Sequence, residues 1–180
     1  ELYCNPLDPQ DGIDNDGNGW ADDTFGWYWD SSALVTKNSP LITERVGFKP
    51  DARPSVPFSH GTHVSSIALD GIESYALIGY AGDYTKPAFL RRIGESMSKL
   101  NVRFSNMSFG FGDSKNPFGS SEEGRTALEQ LIKSQTQTLF FVAAGNDGQD
   151  LDNNDYRDFP ASFPMDNILV VAALNQPALD

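Results

Sequence analysis

The chain has 180 residues, 39% of them apolar with three Trp and twelve Phe, which suits one domain with a hydrophobic core and argues against a disordered tail. Thirteen Lys and Arg stand against 25 Asp and Glu, a formal net charge of -12, so nucleic acid and anionic membranes would repel it. No apolar run approaches the roughly 18–20 residues of a membrane helix, and residues 1–20 carry no basic-then-apolar leader.

Cys4 is the single cysteine, too few for an internal disulfide, and no histidine near it in sequence suggests thiol chemistry. Beginning at Glu1 without a methionine and stopping at Asp180 soon after an apolar run, the chain reads as part of something longer.

Residues 1–30 are rich in Asp, Asn and Gly and lack a helical or alternating period, so an ordered loop region is expected there. Within it Asp14, Asp16 and Asn18, followed by Gly19, match the start of a calcium loop, with Asp22 and Asp23 available to complete the shell of a structural Ca²⁺. Phe25 stands where an EF-hand loop has its glutamate, and no flanking helices are evident. An Asx-rich turn bonded to its own backbone accounts for the pattern equally well. Residues 36–58, with Pro40, Pro50, Pro54 and Pro57, read as an irregular connection.

From His60 the pattern becomes regular. His63–Leu69 suits a short helix, and the apolar run Tyr75–Tyr80 suits a buried strand. Pro87 fits a first helical turn, and Phe89, Leu90, Ile93, Met97 and Leu100 recur as one apolar stripe. Ser96 falls in the middle of that helix and is expected on its surface. Val102–Ser108 is the next strand. Ser120 with Glu123 forms a capping-box signature for a second helix, which buries Leu128, Leu131 and Ile132. Thr138–Ala144 and Asn167–Ala173 are two further apolar strands. Asp147, Asp150, Asp152 and Asp155 fit no ion-binding template and read as a solvated loop. Apolar strands alternating with helices predict an α/β fold, a mainly parallel sheet with helices on both faces.

Ser59-His60-Gly61-Thr62-His63-Val64 places His60 at a loop-to-helix junction, where an imidazole can reach a cleft and act as a general base. Two histidines three apart also suit metal ligands on one helical face, or plain surface polarity. Asn106-Met107-Ser108-Phe109-Gly110 ends one strand and Ala143-Ala144-Gly145-Asn146-Asp147 ends another. Both tips are therefore expected at the carboxyl edge of the sheet, where α/β proteins build sites.

The strings HGTHV, NMSFG, FVAAGND and FPAS, in this order and separated by helices, resemble the subtilisin-like (subtilase, peptidase S8) family over nearly the whole chain. The resemblance implies that family's three-layer α/β/α fold, here incomplete, and serine endopeptidase chemistry. His60 would accept the serine proton and return it to the leaving amine. Asn146 would donate its side-chain amide to the oxyanion. Ser108, Phe109 and Gly110 would form one wall of the pocket for the residue before the scissile bond. Ala144 and Gly145 would form the other, both pairing with an extended polypeptide substrate or inhibitor. The resemblance also implies a secreted or envelope location.

No string here matches the family's aspartate-bearing strand or its serine motif. Asp11 has no apolar strand before it, Ser96 precedes Asn146 where the family's serine follows, and Ser108 lacks the elbow glycine because Asn106 stands there. Ser65-Ser66 also departs from the family, which more often has a glycine there, and this bears on any ion site built nearby. The chain alone is therefore expected to be inactive, relying on missing segments of a parent protein. A pseudoprotease or other peptide-binding module, or a calcium-binding structural domain, remains the rival reading.

Overall fold

The structure, a computed structural model, describes residues 7, 9, 11–17, 26–29, 36–38, 60–112, 122–152 and 156–173. They belong to two compact units, Glu1–Asp83 and Tyr84–Asp180.

In the first unit, β1 (Gly26–Trp29) pairs antiparallel with β2 (Thr36–Asn38), in the register Trp27↔Asn38. The helix α1 (His60–Ala68) follows, and β3 (Gly79–Ala81) pairs parallel with β1, Gly26↔Gly79. Strands thus stand where the composition suggested only loops. Trp27, Tyr28 and Trp29 have strand-favouring side chains, but a run this short shows no measurable period. The strand expected at Tyr75–Tyr80 lies later, and Tyr75 is exposed. An apolar run announces burial without saying where a partner strand will pair, and on this side β1 pairs with Gly79, Tyr80 and Ala81.

In the second unit, α2 (Pro87–Lys99) begins with Pro87 in its first turn and buries Phe89, Leu90, Ile93 and Met97. Its end is closed by Val102 N–H donating to Met97 O at 3.0 Å and Asn101 N–H donating to Ser98 O at 3.3 Å. Asn101 takes the left-handed conformation, φ 57°, that this closure needs. Ser96 is 3% exposed, not on the surface as expected. It lies three residues after Ile93 and seven after Phe89, on the buried stripe itself, where a small side chain fits close helix packing.

β4 (Phe104–Met107) and β5 (Phe111–Gly112) come next, followed by α3 (Glu122–Ser134). Glu122 and Glu123 in the first turn of α3 and Lys133 in the last complement the helix dipole. The expected cap, Ser120, lies outside the described residues. Gly124 of α3 packs against the backbone of Thr85: an added Cβ would stand 2.6 Å from its carbonyl oxygen. That clash outweighs the ~1 kcal/mol that alanine normally gains over glycine in a helix.

β6 (Leu139–Ala143), β7 (Asp158–Phe159) and β8 (Ile168–Val171) complete the unit. β4, β6 and β8 form a parallel sheet in that order, with Met107↔Val142 and Val142↔Val170 in register. β5 and β7 form a separate antiparallel pair. This is the parallel α/β architecture expected from the sequence.

Alternation along β6 buries Phe140 and Val142 in the core shared with Leu128, Leu131 and Ile132 of α3. The opposite face carries Phe104, Leu169 and Val171, which are exposed. Asn167 ties the sheet to the helix end, its Nδ2 donating to Ile132 O at 3.1 Å and Gln135 O at 3.2 Å.

Candidate functional site

The pairing Met107↔Val142 brings the carboxyl ends of β4 and β6 side by side, so Ser108–Gly110 and Ala144–Asn146 leave the sheet at one edge. Ala144 extends the ladder by one bond, its N–H donating to Val171 O at 2.9 Å. Gly145 then turns the chain at φ +88°, a conformation that side chains resist, and Asn146 follows, exposed.

On the neighbouring segment, Asn106 Nδ2 donates to Ser108 Oγ at 3.0 Å. Phe109 stacks on Tyr84 with ring centroids 4.4 Å apart and meets Phe111 edge-on at 5.7 Å. Tyr84 is half-buried, and the desolvation of its hydroxyl pushes the pKa up to about 12. Phe109 is therefore an anchor that holds the strand end in place, and Gly110 after it is exposed.

Sequence reasoning missed Asp158. The antiparallel pairing Gly112↔Asp158 carries its carboxyl group to the two strand ends. There Oδ1 lies 2.5 Å from the position of a Cβ on Gly110, and Oδ2 2.6 Å from that of a Cβ on Gly145. Only glycines leave room for it.

Burial first, and Asp147 second, raise the pKa of Asp158, while the backbone N–H of Phe111 works in the opposite direction. Tyr156 donates its hydroxyl to Asp147 Oδ2 at 2.8 Å, and chiefly for that reason its pKa rises to about 12. The only sequence signal for Asp158 is its place directly before Phe159-Pro160. Its burial comes from the β5–β7 pairing, which no local pattern announces.

His60 is the first residue of α1 and is exposed, as is His63, whose carbonyl accepts a hydrogen bond from Ser66 Oγ at 2.8 Å. His60 belongs to the first unit, whereas Ser108, Phe109, Gly110, Ala144, Gly145 and Asn146 belong to the second.

In the amino-terminal loop, Asp11 Oδ1 accepts the N–H of Ile13 at 2.9 Å and the amide of Asn15 at 3.0 Å, an Asx turn. Asp14 and Asp16 beside it are half-buried; Asn18, Asp22 and Asp23 lie outside the described residues. Among the described residues no three His, Cys, Asp or Glu side chains gather in an ion-binding cluster. Asp147, Asp150 and Asp152 are exposed, as a solvated loop requires, and Asp155 lies outside the described residues. No described helix is long and apolar enough to cross a membrane.

No curated protein sequence matches the chain. The model of the subtilase family does, over residues 49–178, a span that takes in His60, both strand ends, Asn146 and Asp158. A parallel α/β sheet with two of the family's strings at its carboxyl edge and a family match across most of the sequence lead to one conclusion: the chain belongs to the subtilase family of serine peptidases.

Proposed function

We propose that the protein carrying this chain is a serine endopeptidase that cleaves extended polypeptides by acyl transfer. His60, held by the first turn of α1, takes the proton of a serine hydroxyl as that oxygen attacks the peptide carbonyl. It later delivers the proton to the leaving amine. Asn146, just beyond the turn at Gly145, donates its amide to the oxygen that becomes negative in the tetrahedral intermediate. Ser108–Gly110 and Ala144–Gly145 receive the substrate backbone between them by strand addition.

The aspartate that orients the imidazole and the serine nucleophile come, in this reading, from segments of the parent protein outside this chain, and the chain by itself is inactive. The observation that carries the reading is the delivery of both candidate walls and Asn146 to one sheet edge by adjacent parallel strands, within a chain of this family. A secreted or envelope location follows from the same family reading.

The full-length protein should be labelled covalently by a fluorophosphonate probe on a single serine, seen by mass spectrometry. A folded protein that takes up no probe would instead be a peptide-binding relative without catalysis.

A structural calcium in the loop of Asp14, Asp16, Asn18, Asp22 and Asp23 belongs to the same proposal. It rests on the spacing of the carboxylates and on the half-burial of Asp14 and Asp16. Titration of Ca²⁺ is expected to release or absorb heat and to raise the melting temperature. A silent titration removes the ion.

A further inference from the structure

The carboxyl group of Asp158 fills the gap between the two strand ends, its oxygens 2.5 and 2.6 Å from where a Cβ of Gly110 or Gly145 would stand. The residue is 4% exposed, and Oδ1 has no hydrogen-bond partner among the described residues. A buried carboxylate in this state is costly unless a cation reaches it. The described surroundings offer a second carboxylate, Asp147, and a backbone N–H from Phe111. The raised pKa of Asp158 reflects that cost, and the cationic side chain of a ligand would relieve it by pairing with the ionised carboxylate.

The donor set decides which ligand. A hard metal ion collects six or more oxygens, and Asp147 is already engaged by the Tyr156 hydroxyl at 2.8 Å. A lysine ammonium or arginine guanidinium needs only one carboxylate. A peptide laid along the two strand ends can place such a side chain there.

We propose that Asp158 is the specificity-determining residue of this pocket and selects peptides with lysine or arginine immediately before the scissile bond. The location of the scissile bond rests on the protease reading above; the demand for a cation rests on the geometry around Asp158.

The test is calorimetric binding to the full-length protein of extended peptides that carry lysine, or its uncharged mimic norleucine, at that position. Asp158→Asn, which keeps the side chain's shape, is measured beside the native protein. The lysine peptide is expected to bind roughly ten- to a hundredfold more tightly than the norleucine peptide. In Asp158→Asn the difference should vanish while norleucine binding persists, which shows that the variant is folded.

Equal binding by the native protein, no binding of either peptide, or a lysine preference that survives in Asp158→Asn each overturns the proposal. So does binding of Ca²⁺ alone that is lost in the variant while the peptides are not distinguished, since Asp158 would then be a metal ligand. Cleavage of the same peptides is scored separately. Lysine-selective binding without cleavage upholds Asp158 and sinks the protease reading, whereas cleavage without selectivity does the opposite.

Discussion

Full-length protein carrying His60→Ala is expected to lose about 10⁶-fold in kcat with little change in KM, a size carried over from the equivalent histidine of this family. In the proposed mechanism the imidazole acts on the proton and not on the bound peptide, so ground-state binding survives. In that mechanism what disappears is the group that removes the proton as the carbon–oxygen bond forms, and without it the hydroxyl is a poor nucleophile.

His60 is exposed at the start of α1, so alanine there leaves no cavity and the variant should melt with the native protein. His63, one turn along and also exposed, is the control. His63→Ala should keep activity within a few-fold of native, because only one imidazole serves as base. If the pair were metal ligands, as two histidines three apart could be, both replacements would abolish activity alike and a chelator would imitate them. A loss of under a hundredfold in His60→Ala would show that another group takes the proton.

Asn146→Ala should lower kcat by about 10²–10³ and leave KM nearly unchanged, again a magnitude carried over from this family's oxyanion asparagine. The split follows from where the amide acts. Its hydrogen bond strengthens as the carbonyl oxygen gains charge, so removing it raises the transition state more than the bound substrate. The position suits an oxyanion donor, because Gly145 turns the chain out of the sheet at φ +88° and Asn146 stands exposed at the edge from which β4 also emerges. An increase in KM with kcat unchanged would make Asn146 a substrate-binding group instead. Unchanged kinetics would move the oxyanion site elsewhere.

These expectations draw on residues whose placement was readable in the sequence to different degrees. The stripe Phe89–Ile93–Met97 and the run Leu128–Ile132 announced α2 and α3, because a helix long enough to bury one face repeats its apolar positions visibly. β6 and β8 were announced by continuous apolar runs, whereas β4 carries Ser105 and Asn106 and was announced by its place between the two helices. The parallel order then placed NMSFG and AAGN at one edge without further information.

The short strands β1, β2, β5 and β7 were not announced. A strand of two to four residues owes its existence to a partner far away in the chain, and that partner leaves no local period. Ser96 was misplaced for a related reason: polarity suggested the surface, but a small hydroxyl fits wherever helices approach closely.

By itself, then, the sequence determined the fold class, the order of the main helices and strands, the family, and the two strand ends with Asn146, because all of these rest on local periodicity and contiguous strings. Only the tertiary structure decided that β5 and β7 pair, that Gly110 and Gly145 flank one carboxyl group, and that Asp158 is buried between them. A charged residue in a sequence carries no mark of its solvation. That is set by which distant segments fold over it, and here they close over a carboxylate between the ends of two strands.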